Sequence, residues 1–251
     1  MPKDILYLGD TAYDQQAAYL AGIMTHFGIT FDYVASDISP TDEQIAADYK
    51  AIILSDYPSK LLSETQLEII VEKTNMGRGL LMIGGWETYV GLDGGYENTP
   101  LAKILPVSMQ DVDDRNNNYW PCFVDKQIDH PIAANLPFDT HATTVGGFNA
   151  FAPKSEAITL LNISMHHASK SPNGTFAITP TQSIPLLVIN QNEAANVACF
   201  ASDVAPHWVG PLVDWGDQRL SAQAPGSNPV EIGNWYAQFF ANLVKWTAKM
   251  L

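Results

Sequence analysis

The chain has 251 residues, 46% hydrophobic and 16% charged, a composition typical of an ordered globular protein with a substantial core. Its net charge of −14 argues against nucleic acid and anionic membrane surfaces as partners, because both carry negative phosphate groups. No apolar run reaches the roughly 18 residues of a membrane helix and no secretory signal is recognisable, so a cytoplasmic location is expected.

The first 85 residues alternate apolar strand patterns with helix patterns. Strands are predicted at 5–8, 30–35, 49–54 and 79–83, and helices at 13–27, 41–47 and 63–76. The last helix opens with a capping pattern, Ser63 followed by Gln66. Strands joined by helices require crossover connections, so the pattern predicts an α/β fold with a mostly parallel sheet.

This alternation is lost after residue 95. The patterns then predict a short helix at 99–105, an irregular polar stretch at 106–131, strands at 144–151, 158–163, 175–178, 185–190 and 196–201, and a closing amphipathic helix at 232–250. Residues 111–118 lack the acidic spacing of a calcium loop and are expected to be a solvated loop. One domain of residues 1–251 is predicted, with a loop- and strand-rich insertion at about 106–190.

The most informative stretch is 80–95, where a predicted strand runs into a glycine pair and then a polar, aromatic loop. A sharp strand-to-helix corner needs small residues around its exposed position, which Gly85 satisfies. Trp86 could stack on a planar or sugar-like ligand or plug a pocket. Glu87 is a candidate catalytic carboxylate, and Thr88 a candidate hydrogen-bonding residue. A turn that only packs Trp86 inward is the alternative.

Further polar residues follow other predicted strands. Asp10 and Asp56 come after the first and third strands, and Asp203 follows the strand at 196–201. Because ligands bind beyond the carboxyl ends of parallel strands, these positions are expected to meet at one edge of the sheet. Asp203 and His207 could form a pair for general-base chemistry, with Trp208 beside them as a ligand-binding residue. A structural turn is the alternative.

Cofactor and metal motifs are missing from the sequence. Neither phosphate-loop glycine pattern occurs, and no HExxH, HxH or paired Cys/His spacing is present, so no cofactor and no metal site are predicted. The two cysteines, Cys122 and Cys199, belong to no CxxC motif, and Cys199 lies in an apolar run typical of a buried thiol.

Three segments carry a family resemblance: IGGWETYVGLDGGYENTPLAKILPV, HPIAANLPF and FASDVAPHWVG. They resemble the glutamine amidotransferase-like family of class I glutaminase folds, related to the trehalose-utilisation (ThuA-like) proteins. The resemblance covers most of the chain and implies a flavodoxin-like three-layer α/β/α sandwich. It also implies that Trp86 stands where class I glutaminases carry their nucleophilic cysteine, and that their His-x-Glu pair is replaced after the late strand.

Glutaminase chemistry needs a thiolate to form the acyl intermediate, so that activity is not expected. The first hypothesis is a non-glutaminase that binds a small polar ligand, with carbohydrate as one class, near Trp86. The second is an active hydrolase or isomerase that uses Asp203, His207 and Glu87. The third is a non-catalytic interaction subunit, and self-association into a homo-oligomer is a further expectation.

Overall fold

The computed structural model describes residues 3–191 and 194–251. Its strands are β1 (Ile5–Gly9), β2 (Phe31–Val34), β3 (Ala51–Ser55), β4 (Gly79–Ile83), β5 (Val107–Ser108), β6 (Arg115–Lys126), β7 (Thr144–Asn149), β8 (Ala152–Pro153), β9 (Ile158–Lys170), β10 (Phe176–Gln191), β11 (Asn196–Phe200), β12 (Arg219–Ala222) and β13 (Val230–Gly233). Its α-helices are α1 (Ala18–His26), α2 (Asp42–Ala46), α3 (Glu64–Asn75), α4 (Pro206–Val209) and α5 (Asn234–Thr247).

One large sheet organises the described residues, with nine strands in the order β2-β1-β3-β4-β11-β10-β9-β6-β7. The five strands from β2 to β11 are mutually parallel, and each later neighbour is antiparallel. Every residue of β1, β3, β4 and β11 is buried, because helices cover both faces of this parallel half. The fold is the predicted α/β sandwich, in which helices pack on a large central sheet.

The helices pack in two groups. α5 lies against β4 and β11, with α1 beside it, and α2 packs beside α3. Both α2 and α3 begin with complete capping boxes, at Thr41 and Ser63, which satisfy backbone N–H groups at their first turns. α1 starts at Ala18, later than the predicted residue 13. Within the described residues, no helix is both long and apolar enough to cross a bilayer.

The largest departure from the predicted elements lies in the antiparallel half. The stretch 106–131 contains β6, a strand of 12 residues, where irregular structure was expected. β6 is rich in asparagine, which disfavours strands, but it is held between β7 and β9 by pairing on both sides. Pairing likewise extends β9 well beyond the predicted 158–163, and it joins the two strands predicted at 175–178 and 185–190 into the single strand β10.

Candidate functional site

Three aspartates meet beyond the carboxyl ends of the parallel strands. Asp10 follows β1, Asp56 follows β3, and Asp203 follows β11. One carboxylate oxygen from each lies within 4.8 Å of the others. We call Asp10, Asp56 and Asp203 the carboxylate cluster, and the surrounding loops at 10, 56, 84–88 and 202–207 the strand-end rim.

Backbone geometry turns two of these side chains toward each other. Gly9 is in register with Ser55, so Asp10 and Asp56 occupy equivalent positions after neighbouring strands. Both have a left-handed backbone, with φ of 44° and 42°, a conformation in which aspartate is several-fold enriched over most residues. The chains run so close there that a β-carbon at residue 9 would lie 2.0 Å from the Ser55 carbonyl oxygen.

The glycine pair after β4 leaves space for the residues that follow the flanking strands β3 and β11. β4 lies between β3 and β11, so its end separates their loops. A β-carbon at Gly85 would lie 2.3 Å from Asp56 Oδ1, and one at Gly84 would lie 2.4 Å from the Ala201 carbonyl oxygen. Side chains at these positions would therefore occupy the space between the flanking strands.

Asp10 is buried and is held by hydroxyl donors. The Tyr7 hydroxyl donates to Asp10 Oδ2 at 2.5 Å, and the Ser55 hydroxyl donates to the same oxygen at 3.1 Å. Burial and the nearby charge of Asp56 raise the pKa of Asp10 to about 7, although both hydrogen bonds oppose the shift. Asp10 can therefore hold or release a proton near neutral pH.

Asp56 faces both the corner after β4 and the histidine of α4. The Glu87 backbone N–H donates to Asp56 Oδ1 at 2.6 Å. Burial raises the pKa of Asp56, while this N–H bond and the charge of His207 act in the opposite direction. Burial and the charge of Asp56 also raise the pKa of Glu87, whose side chain is half-buried.

Asp203 is fully buried, and its two oxygens have different surroundings. Oδ1 accepts backbone N–H bonds from Val204 at 2.5 Å and Ala205 at 3.1 Å. Oδ2 has no hydrogen-bond donor, and His207 Nε2 lies 3.4 Å from it. Burial raises the pKa of Asp203 well above its ordinary value, and the charges of Asp10 and Asp56 add to the shift.

His207 connects the carboxylate cluster to an open cavity. Its side chain is half exposed, and it lines a cavity of about 400 Å³. Polar residues of this cavity include Gln15, Gln16, Tyr19 and Asn228. The structure thus brings Asp203 and His207 together, as their spacing suggested, and places a polar cavity on the solvent side of the imidazole.

Trp86 lies at the surface of the rim, with 45% of its area exposed. The Arg115 guanidinium lies 4.9 Å from the centre of its ring, a cation–π contact, and Arg115 forms two hydrogen bonds to Asp113. One face of the indole is therefore covered by Arg115.

Thr88 and Trp208, the other predicted ligand-binding side chains, are buried. Thr88 lies beneath the corner, and its hydroxyl has no hydrogen-bond partner among the described residues. Trp208 is 2% exposed, lies over Gly147 and donates its indole N–H to Asn117 Oδ1 at 2.6 Å. In this structure neither side chain reaches the solvent side of the rim.

The predicted strand-to-helix corner does not form, because an irregular loop spans 84–95. Left-handed backbone at Tyr89, Gly91 and Gly95 prevents a helix from starting there. The Asp114 carboxylate also accepts hydrogen bonds from the backbone N–H groups of Val90 and Gly91, at 3.2 and 2.9 Å. The corner therefore lacks the helix that follows a nucleophile elbow.

Two residues that support this loop were missed by sequence reasoning. Asn149, at the end of β7, accepts the Gly85 N–H at 3.0 Å and donates to the Gly85 carbonyl at 3.2 Å and to Asp114 Oδ1 at 2.8 Å. Asp114 is buried, so the expectation of a solvated loop at 111–118 is wrong at this position. No short-range motif marks Asn149 and Asp114, because they meet only through the pairing of β6 with β7.

The cysteines lie away from the cluster. Cys199 is in register with Met82 inside the sheet, and burial raises its thiol pKa to about 12. Cys122 is a buried residue of β6, and burial raises its pKa also. Neither environment stabilises a thiolate.

Comparison with known proteins shows which family the chain belongs to. The model of the family described as "Putative glutamine amidotransferase" matches residues 5–222. The chain belongs to this family. No curated protein matches the chain.

Two solved structures from Salmonella resemble this member of the family over nearly its whole length. Cytoplasmic Protein STM1381 from Salmonella typhimurium LT2 is 26% identical, with a TM-score of 0.73 over 97% of this chain and 98% of the other. Cytoplasmic Protein STM3548 from Salmonella typhimurium is 24% identical, with a TM-score of 0.71 over the same shares. The relation to trehalose-utilisation proteins stays a prediction.

Proposed function

We propose that this family member binds a small polar ligand at the strand-end rim and does not hydrolyse glutamine through a cysteine. The observation that carries the proposal is the composition of the rim: three clustered carboxylates and an imidazole, with both cysteines elsewhere. A thiolate nucleophile is required for the glutaminase reaction, and Trp86 stands at the corner instead. A cytoplasmic location belongs to the same proposal, supported by the names of both Salmonella structures.

The chemistry of the rim favours a ligand rich in hydroxyl groups. The negative charge of clustered carboxylates repels an anionic ligand, whereas a neutral sugar or polyol is not repelled. The cavity beside His207 adds the amides of Gln15, Gln16 and Asn228, which can both donate and accept. Trp86, in the loop after β4, offers an exposed apolar surface on the strand-end rim. We therefore propose a neutral carbohydrate-like ligand.

The contact between Asp203 and His207 favours a second candidate, acid–base catalysis on such a ligand. A buried carboxylate next to an exposed imidazole can orient the ring and stabilise its charged form. Glu87, whose backbone N–H donates to Asp56, is the further proton-transfer group of this candidate. A hydrolase or isomerase would use these groups without a covalent thioester.

Binding is tested by calorimetric titration of the protein with a panel of neutral sugars and polyols and, as comparison, their phosphorylated forms. We expect saturable binding of at least one neutral compound and weaker binding of its phosphate ester. Asp56→Asn should weaken that binding, and Asp129→Asn, which removes an exposed carboxylate, should not. The absence of saturable binding across the panel would contradict a carbohydrate ligand.

Catalysis is tested separately, by following each bound compound with NMR over hours. Turnover that falls strongly in His207→Gln, with binding retained, supports the acid–base candidate. Binding without any conversion in the wild-type protein would leave ligand binding as the function. Turnover that is unchanged in His207→Gln would exclude this residue from the reaction.

A further inference from the structure

The carboxylate cluster has the donors and spacing of a cation site. We propose that Asp10, Asp56 and Asp203 together bind one hard divalent cation, of the class of Mg²⁺, Mn²⁺ or Ca²⁺. This inference goes beyond the proposed ligand binding, since it concerns an ion that the three carboxylates could hold without an organic ligand. It also goes beyond the sequence, in which no metal-binding motif is present.

The spacing of the three oxygens matches a shared coordination sphere. Their mutual separations do not exceed 4.8 Å. Oxygen ligands lie about 2.0–2.6 Å from Mg²⁺ or Ca²⁺, so two ligands of one ion are separated by at most about 4–5 Å. One ion can therefore contact all three carboxylates with little rearrangement.

An independent sign of a missing partner is Asp203 Oδ2. This atom belongs to a fully buried side chain and has no hydrogen-bond donor, whereas Oδ1 of the same carboxylate accepts two backbone N–H groups. Oδ1 is occupied by the backbone of its own loop, so Oδ2, which lies 3.4 Å from His207 Nε2, is the oxygen free to accept a further partner. A buried carboxylate oxygen without a donor is costly, and a cation removes that cost.

The ion pairs that lysine and arginine form among the described residues do not include the cluster. In the part of the chain that the structure describes, 3–191 and 194–251, the ion pairs of lysine and arginine involve other acidic residues. His207 Nε2 lies 3.4 Å from Asp203 Oδ2, and an imidazole carries a positive charge only when it is protonated. Buried carboxylates at such short distances repel one another unless a proton or a cation lies between them.

The donor set selects the class of ion. Carboxylate oxygens suit Mg²⁺, Mn²⁺ and Ca²⁺, while softer ions prefer thiolate and imidazole ligands. The cluster contains oxygen donors with one imidazole beside it, and both thiols are elsewhere. We therefore assign a hard cation rather than Zn²⁺ or copper.

The test uses full-length protein stripped with EDTA and then titrated with Mn²⁺, with free Mn²⁺ followed by electron paramagnetic resonance. We expect one saturable site per chain, from which Mg²⁺ or Ca²⁺ displaces Mn²⁺. Asp56→Asn should weaken Mn²⁺ binding by about tenfold or more, because it removes one charged ligand. Asparagine also tolerates the left-handed backbone at this position, so the fold should persist.

The matched control is Asp129→Asn, which makes the same chemical change at a carboxylate that is 95% exposed and paired with Lys126. It should alter Mn²⁺ affinity by no more than about twofold, as a screened surface charge does. Asp10→Asn provides a second test should Asp56→Asn fail to fold, as judged by its thermal melt.

Two results would overturn the proposal. One is the absence of saturable binding of Mn²⁺, Mg²⁺ and Ca²⁺ to folded wild-type protein. The other is Mn²⁺ binding that is equally strong in wild type, Asp56→Asn and Asp10→Asn, which would place the ion elsewhere. Neither outcome depends on sugar binding, so failure of the proposed function and failure of this inference are distinguishable.

Discussion

Gly85 and the carboxylate of Asp56 are in direct contact: a β-carbon at residue 85 would lie 2.3 Å from Asp56 Oδ1 and 2.5 Å from its Cγ. Two residues later, the Glu87 N–H donates to the same oxygen. The loop after β4 therefore shapes the carboxylate cluster. The corner after β4 thus accommodates an acidic side chain that follows the neighbouring strand.

Gly85→Ala should disturb this contact. An added β-carbon would clash with Asp56, and we expect a cost of about 1–3 kcal/mol in the free energy of unfolding. Mn²⁺ binding should weaken at the same time, because the Asp56 carboxylate must move. Urea denaturation and the Mn²⁺ titration measure the two effects.

The control for this substitution is Gly28→Ala. Gly28 has a left-handed φ of 71° and open space around its α-carbon, so alanine should cost about 1–2 kcal/mol through backbone strain and leave Mn²⁺ binding unchanged. Wild-type stability together with wild-type Mn²⁺ affinity in Gly85→Ala would show that the loop relaxes without consequence for the cluster.

The carboxylate cluster should make stability fall as pH rises when no metal is present. Burial raises the pKa of Asp10 to about 7 and that of Asp203 well above its ordinary value, so the folded protein holds these protons more tightly than the unfolded chain. For Asp10 the stabilising effect is complete below about pH 4, the unfolded pKa, and is lost as pH rises through about 7. The change for Asp10 is on the order of a few kcal/mol.

Urea denaturation in EDTA between pH 5 and pH 8 measures the slope of the free energy of unfolding against pH. Asp10→Asn should flatten it, since the amide does not titrate while Asp56, Asp203 and His207 remain. Added Mn²⁺ should restore stability mainly at the higher pH, where the carboxylates are charged. If the difference in the free energy of unfolding between wild type and Asp10→Asn stays constant from pH 5 to pH 8, the prediction is wrong.

Trp86→Ala and Trp208→Ala form a matched pair with opposite expected results. Trp208 is 2% exposed, so its loss should cost about 3–5 kcal/mol in the free energy of unfolding. Trp86 is 45% exposed, so its loss should cost much less and should weaken the binding of the ligand found in the sugar panel. Thermal melts and calorimetry measure both.

The two tryptophan variants also test the alternative role of Trp86. A stability loss for Trp86→Ala as large as that for Trp208→Ala would make Trp86 a structural residue. A small loss with unchanged ligand affinity would mean that the ring does not contact the ligand, which would remove it from the proposed site.

Replacement of both cysteines, Cys122→Ala with Cys199→Ala, should not change ammonia release from glutamine, which we expect to be at background in the wild-type protein. Both thiols are buried, and burial raises both pKa values, so neither supplies a thiolate nucleophile. A coupled ammonia assay measures the rate. Glutamine turnover above background that disappears in the double variant would contradict the proposed function.

Local sequence determined the parallel half of the fold. The strand at 79–83 and the helix capped at Ser63 match the structure closely, because apolar periodicity and capping are properties of adjacent residues. It also indicated that Asp10, Asp56 and Asp203 follow strands, since each comes directly after an apolar run. The general rule for parallel sheets then anticipated one edge for all three.

Only the tertiary structure decided how the residues at the strand ends are buried and what they contact. The burial of Asp203 Oδ2, the role of Gly85 as space for Asp56, and the support of Asn149 and Asp114 all depend on contacts between strands far apart in sequence. The same is true of Trp86 and Trp208, of which one is exposed and the other buried although both follow core strands. Local patterns show which residues reach the end of a strand, but the packing of neighbouring loops decides whether a side chain there meets solvent, core or another charge.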